Sequence, residues 1–121
     1  MILSLALAFG AGAALAQDFQ KGSAAAQSGD YATALKEWRP LAGQGHVDAQ
    51  YNLAVMYDNG KGVLQHNVRA HMWYNIAAAN GAEKAGEWRE KRAGLMTSAD
   101  ISKAQSMARE CMSSKYKNCG W

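Results

Sequence analysis

Apolar residues along this chain recur at steps of three and four, and no stretch alternates apolar with polar. Phe19, Gly22 and Ala25 stand at i, i+3 and i+6. Ala34, Leu35, Trp38, Leu41 and Ala42 share one face, as do Ala49, Leu53, Met56 and Tyr57, and then Ala70, Trp73, Tyr74, Ala77 and Ala78. Ala85, Trp88, Arg92 and Leu95 form a further stripe, and Ile101, Ala104, Ala108 and Cys111 close the series. This is the period of amphipathic helices. Ser28-Gly29-Asp30 ends the first, and Asp30 is placed to N-cap the second. The second is predicted from Tyr31, regular over 31–39, because the Pro40 ring removes a donor and should kink or shorten its last turn. The third is predicted over 47–58, the fourth over 68–80 with Gly81 as C-cap, and the fifth over 82–96. Thr97-Ser98-Ala99-Asp100 reads as a capping box before the last. With β-branched residues sparse, the expected class is all-α.

A repeat organises these helices. Ala34, Trp38, Leu41, Ala42, Gly45 and Ala49 match Ala70, Tyr74, Ala77, Ala78, Gly81 and Ala85 at a constant offset of 36 residues. Repeats near this length are stacked helical hairpins that bury apolar faces on one another and leave a groove for partners. Small residues such as Ala34 and Ala70 let the facing helix approach, and Trp38 and Tyr74 fill the gap one turn on. That stripe reads as core rather than as a ligand cage.

Residues Met1 to Ala16 carry no charge and end in Ala14-Leu15-Ala16 before Gln17 and Asp18. This pattern reads as a secretory signal peptide, which places the mature protein in the periplasm or outside the cell, without stable membrane insertion after cleavage. Cys111 and Cys119 are the two cysteines, and in an exported chain they are expected to pair as a disulfide. The net charge of +3 is unevenly placed, −1 over residues 17–83 and +4 over residues 84–121. There Lys91, Arg92, Lys103, Arg109, Lys115 and Lys117 are interleaved with Glu87, Glu90 and Glu110, as on a solvated face with ion pairs. Nucleic acid is therefore not expected as a partner.

Phe19-x-x-Gly22-x-x-Ala25 followed by Gly29-Asp30-Tyr31-x-x-Ala34 resembles a tetratricopeptide unit. Ala49-x-x-x-Leu53-Ala54-x-x-Tyr57-x-x-Gly60-x-Gly62-Val63 with Ala70-x-x-Trp73-Tyr74-x-x-Ala77-Ala78-x-x-Gly81 resembles the Sel-one-like variant of that hairpin, lengthened at Gly60-Lys61-Gly62. Met96-Thr97-x-x-x-Ile101-x-x-Ala104-Gln105-x-x-Ala108-Arg109 is similar to the closing helix of small exported bacterial members. Ala54, Leu64 and His66 depart from the family's usual Gly, Pro and Asp and bear on the turn, not on the fold. The resemblance implies an α-solenoid of about two hairpins with a C-terminal capping helix: a leader over 1–16, repeat one about 19–45, repeat two about 47–81, closing helices about 82–112 and a tail over 113–121.

For function, the resemblance implies a non-enzymatic adaptor that holds a peptide or protein in the concave groove, with a homodimer as a further possibility. Transferring the groove positions gives Phe19 and Ser23 in the first unit and Asp48, Tyr51, Val55, Asp58 and Asn59 in the second. Tyr51 and Val55 supply apolar anchors there, and Asp48 and Asp58 pair with basic side chains of a ligand. Two other classes stand beside this one. Some cysteine-rich relatives have been described as binding or hydrolysing β-lactams, and a secreted factor directed at a host or competitor has the same sequence signature. Against catalysis, the chain has no Gly-x-Ser-x-Gly elbow and no phosphate-cradling glycine loop. His46, His66 and His71 do not share a helical face for a metal, so neither metal nor cofactor is expected.

Overall fold

A computed structural model describes residues 10–121, with side chains from residue 19 onward. The leader expected over 1–16 therefore lies largely outside the described residues. Six helices follow in order: α1 (Gly10–Gln27), α2 (Tyr31–Ala42), α3 (Val47–Asn59), α4 (Asn67–Ala79), α5 (Glu83–Ala93) and α6 (Ser98–Ser113). Helices α1 and α2 form one hairpin and α3 and α4 a second, joined by packing of α2 on α3, while α5 and α6 each pack against α4. The architecture is the all-α helical-repeat solenoid expected from the sequence.

The local signals act as their chemistry requires. Asp30 accepts from the Thr33 amide at 3.2 Å and Thr97 Oγ1 from the Asp100 amide at 3.1 Å, each filling an orphan donor of a first turn. His46 and His66 cap α3 and α4 in the same way, through Nδ1 to the amides of Ala49 and Arg69 at 3.1 and 3.2 Å. Pro40 departs from expectation, since α2 continues through it to Ala42. It sits on the exposed side of the helix, and the last turn is closed instead by the Gly43 amide on the Arg39 and Leu41 carbonyls. The fifth helix is shorter than expected, ending at Ala93, which leaves Leu95 outside it and exposed.

Packing between units rests on close approach. The matched residues Ala34, Trp38, Ala70 and Tyr74 are all buried, as a repeat core requires. Gly62, at φ +74, lies within the lengthened turn, and a Cβ there would meet Tyr31 Cβ at 2.8 Å, so the insertion lies directly on the preceding hairpin. Gly22 has the same role between α1 and α2. A Cβ there would stand 2.5 Å from Trp38 Nε1, and that indole is buried and donates to the Phe19 carbonyl at 3.4 Å. Gly22→Ala is accordingly expected to lower stability by about 1–2 kcal/mol, overpacking outweighing the gain in helix propensity. Gly86→Ala, whose Cβ would meet nothing nearer than Ala78 Cβ at 3.8 Å, is expected to be neutral or stabilising, and urea unfolding of both variants checks the contrast.

A polar network ties the units to the C-terminal tail. Gln50, 0% exposed, donates to the Ala42 carbonyl at 3.1 Å and accepts from Asn80 at 2.9 Å, and Asn80 also donates to the Tyr116 hydroxyl at 3.0 Å. The tail folds back under the Cys111–Cys119 disulfide, the pairing expected from the sequence. Trp121 comes within 5.2 Å of Trp73, centroid to centroid, and Arg69 donates to the Gly120 carbonyl.

His71 on α4 is 2% exposed, and its Nδ1 is buried without a hydrogen-bond partner. Burial lowers its pKa first, and the Arg89 charge adds to this against a smaller opposing effect of Glu90. The folded chain thus holds His71 neutral at pH values where the unfolded chain protonates it. That stability is fully present above the ordinary histidine pKa and is lost as pH falls below it, by at most about 1.4 kcal/mol per unit. The midpoint of urea unfolding should drop between pH 7 and 5, and His71→Gln should flatten that limb.

Candidate functional site

Helix α3 presents Tyr51, Val55, Asp58 and Asn59 along one stripe, because steps of four, three and one residues return to the same side of a helix. Together with Tyr74 of α4 and Trp88 of α5 they line a cavity of about 140 Å³. Four of the seven positions expected to face the groove are therefore brought together, and two aromatics that sequence reasoning did not place there complete the walls.

The remaining three lie elsewhere. Phe19 stacks on His46 at 4.8 Å and stands 6.1 Å from Trp38, at the junction of the first hairpin with α3. Ser23 is half-buried on α1. Asp48 is exposed in the first turn of α3, where a carboxylate complements the helix dipole. None of the three lines the cavity.

The polar side of the cavity is paired within the chain, apart from Arg92 Nε, which is buried without a partner. The Asp58 side chain is 7% exposed, pairs with the Arg92 guanidinium, and accepts from the Tyr74 hydroxyl at 2.9 Å. Arg92 also donates to Asn67 at 3.2 Å, which fastens α5 to the start of α4. Asp58 thus already holds an internal cation. Burial, followed by the hydrogen bond and charge of Asp58, pushes the Tyr74 phenol far above its ordinary range, and burial alone raises that of Tyr51. Both phenols remain neutral donors at any physiological pH.

The walls are aromatic. The Tyr51 and Tyr74 rings are 5.9 Å apart and tilted by 53°. Trp88 is 38% exposed, and Lys91 Nζ stands 4.4 Å from its centroid. The sequence assigned Trp88 to a packing stripe with Ala85, Arg92 and Leu95. That stripe divides in the structure: Ala85 is buried, Trp88 borders the cavity, Arg92 reaches Asp58 and Leu95 is exposed. A tryptophan on a helix otherwise composed of charged and small residues was the available signal. Tyr74 belongs both to the core, as expected, and to the cavity wall.

Other depressions occur among the described residues. One, of about 270 Å³, lies between α6 and the tail, and one of about 390 Å³ lies at the starts of α4 and α6, lined by Gln65, His66, Asn67, Val68, Asp100 and Lys103. Neither gathers three or more His, Cys, Asp or Glu in a metal-holding arrangement, and no such group occurs among the described residues. No described helix is long and apolar enough to cross a membrane.

Residues 47–81, the α3–α4 hairpin with its lengthened turn, match the Sel1 repeat. Sel1 repeats generally mediate protein–protein interaction and are typically non-catalytic. No curated protein and no solved structure gave a significant match to this chain.

Proposed function

We propose that this chain, which carries a Sel1 repeat over residues 47–81, is an interaction scaffold that holds a peptide or protein partner against α3 and α5, with the cavity at Tyr51, Val55 and Trp88 as its anchor point. The observation that carries this reading is the convergence of four groove positions of the repeat with an exposed tryptophan on one small cavity. Its size favours a single side chain over a small-molecule substrate, since pockets that enclose drug-sized ligands run from roughly 300 to 1,000 Å³. Exposed Trp and Tyr beside an apolar hollow are the residues on which binding energy concentrates. The uncharged segment before Gln17 and the disulfide support action in the periplasm or outside the cell.

Selection of a displayed peptide library on the oxidised protein tests this. Enriched peptides are expected to bind Tyr51→Ala and Trp88→Ala about tenfold or more weakly than the parent, a loss of roughly 1.4 kcal/mol or more, with helix content unchanged. Equal affinity for parent and variants would remove the groove from the account.

A further inference from the structure

The charges around the cavity restrict what enters it, an argument that rests on the groove being the binding site. We propose that the anchor taken by this cavity is an uncharged aliphatic side chain of leucine or methionine size. Three aromatic rings and Val55 make walls that suit either an apolar group or a cation, since a cation is also drawn to ring faces. Charge decides between them. The one acid lining the cavity, Asp58, has its carboxylate paired with Arg92 and bonded by the Tyr74 hydroxyl. No free carboxylate is left for a guest. Lys91 already stands over the Trp88 ring, so a second cation drawn to that ring would be repelled by it.

A lysine or arginine guest would leave water, meet no unpaired acid and be repelled by Lys91. A carboxylate guest would likewise leave water, and the guanidinium beside the lining, Arg92, is already taken by Asp58. An aliphatic guest loses no hydrogen bonds and gains the transfer of its surface out of water. The volume of about 140 Å³ accommodates one such side chain.

The test is titration of the ¹⁵N-labelled oxidised chain with N-acetyl-leucinamide, N-acetyl-lysinamide and tetramethylammonium chloride at fixed ionic strength, following the Trp88 indole N–H. Leucinamide is expected to bind at least tenfold more tightly than either cation. Arg92→Gln, which uncovers the Asp58 carboxylate, should narrow that ratio several-fold or reverse it. Val55→Ala, which widens the cavity without touching its charges, should keep the discrimination against cations and shift preference toward N-acetyl-phenylalaninamide. Cations bound as tightly as leucinamide by the parent protein, or no saturable shift with leucinamide, would overturn the proposal. If library-selected peptides still lose affinity in Trp88→Ala, only the anchor chemistry falls; if they do not, the groove itself was misassigned.

Discussion

Replacing Arg92 by Gln is expected to lower unfolding free energy by about 3 kcal/mol, because it leaves a nearly buried carboxylate without its counter-charge. Asp58 retains only the Tyr74 hydroxyl after that change, and the guanidinium bond to Asn67 is lost with it. The cost comes chiefly from the unpaired charge, so removing the charge should recover part of it. Asp58→Asn in the Arg92→Gln background is expected to return about 1 kcal/mol or more, and the two changes together should cost less than their sum. Urea unfolding of the four proteins of this cycle provides the measurement. A loss below about 1 kcal/mol for Arg92→Gln would mean that the pair behaves as an exposed ion pair and that α5 is not fastened through it.

The second large effect is expected from the disulfide. Its loop spans 8 residues in sequence, and removing the cross-link by Cys111→Ala with Cys119→Ala should cost about 2–3 kcal/mol through the restored freedom of the unfolded chain. The melting temperature should fall by roughly 10–15 °C. A second signature accompanies it. The tail is held by Tyr116 on Asn80, by Gly120 on Arg69 and by Trp121 near Trp73, and these contacts depend on the turn that the disulfide closes. The environment of Trp121 should therefore loosen in the folded double variant, seen as greater access of its fluorescence to iodide. Unchanged melting and unchanged quenching would show that the tail holds its place without the cross-link.

The helices were legible because their signals are local: Asp30 and Thr97 as caps, glycines at the turns, apolar steps of three and four. That Tyr51, Val55, Asp58 and Asn59 share one side of α3 was legible for the same reason, since helical spacing alone brings them together. Trp88 was not, because its neighbours at helical spacing have three different environments and only the packing of α5 on α4 separates them. Neutralisation of Asp58 by Arg92 joins residues 34 apart in sequence and left no local trace. The tail was read as a solvated basic end. Its fold depends on left-handed backbone at Lys115 and Tyr116, where no glycine announces it, and on contacts as distant as Arg69 with Gly120. Pro40 was over-weighted, because a proline in the last turn of a helix costs only one late bond.

Hydrogen–deuterium exchange of the oxidised chain, with and without a saturating library-selected peptide, tests the central claim most directly. The account predicts slowed exchange confined to residues 51–59 of α3 and 84–92 of α5, the two helices that border the cavity with Tyr74. Protection instead at residues 65–68 and 98–103, or along α6 and the tail, would place the interaction surface on another face of the solenoid and contradict it.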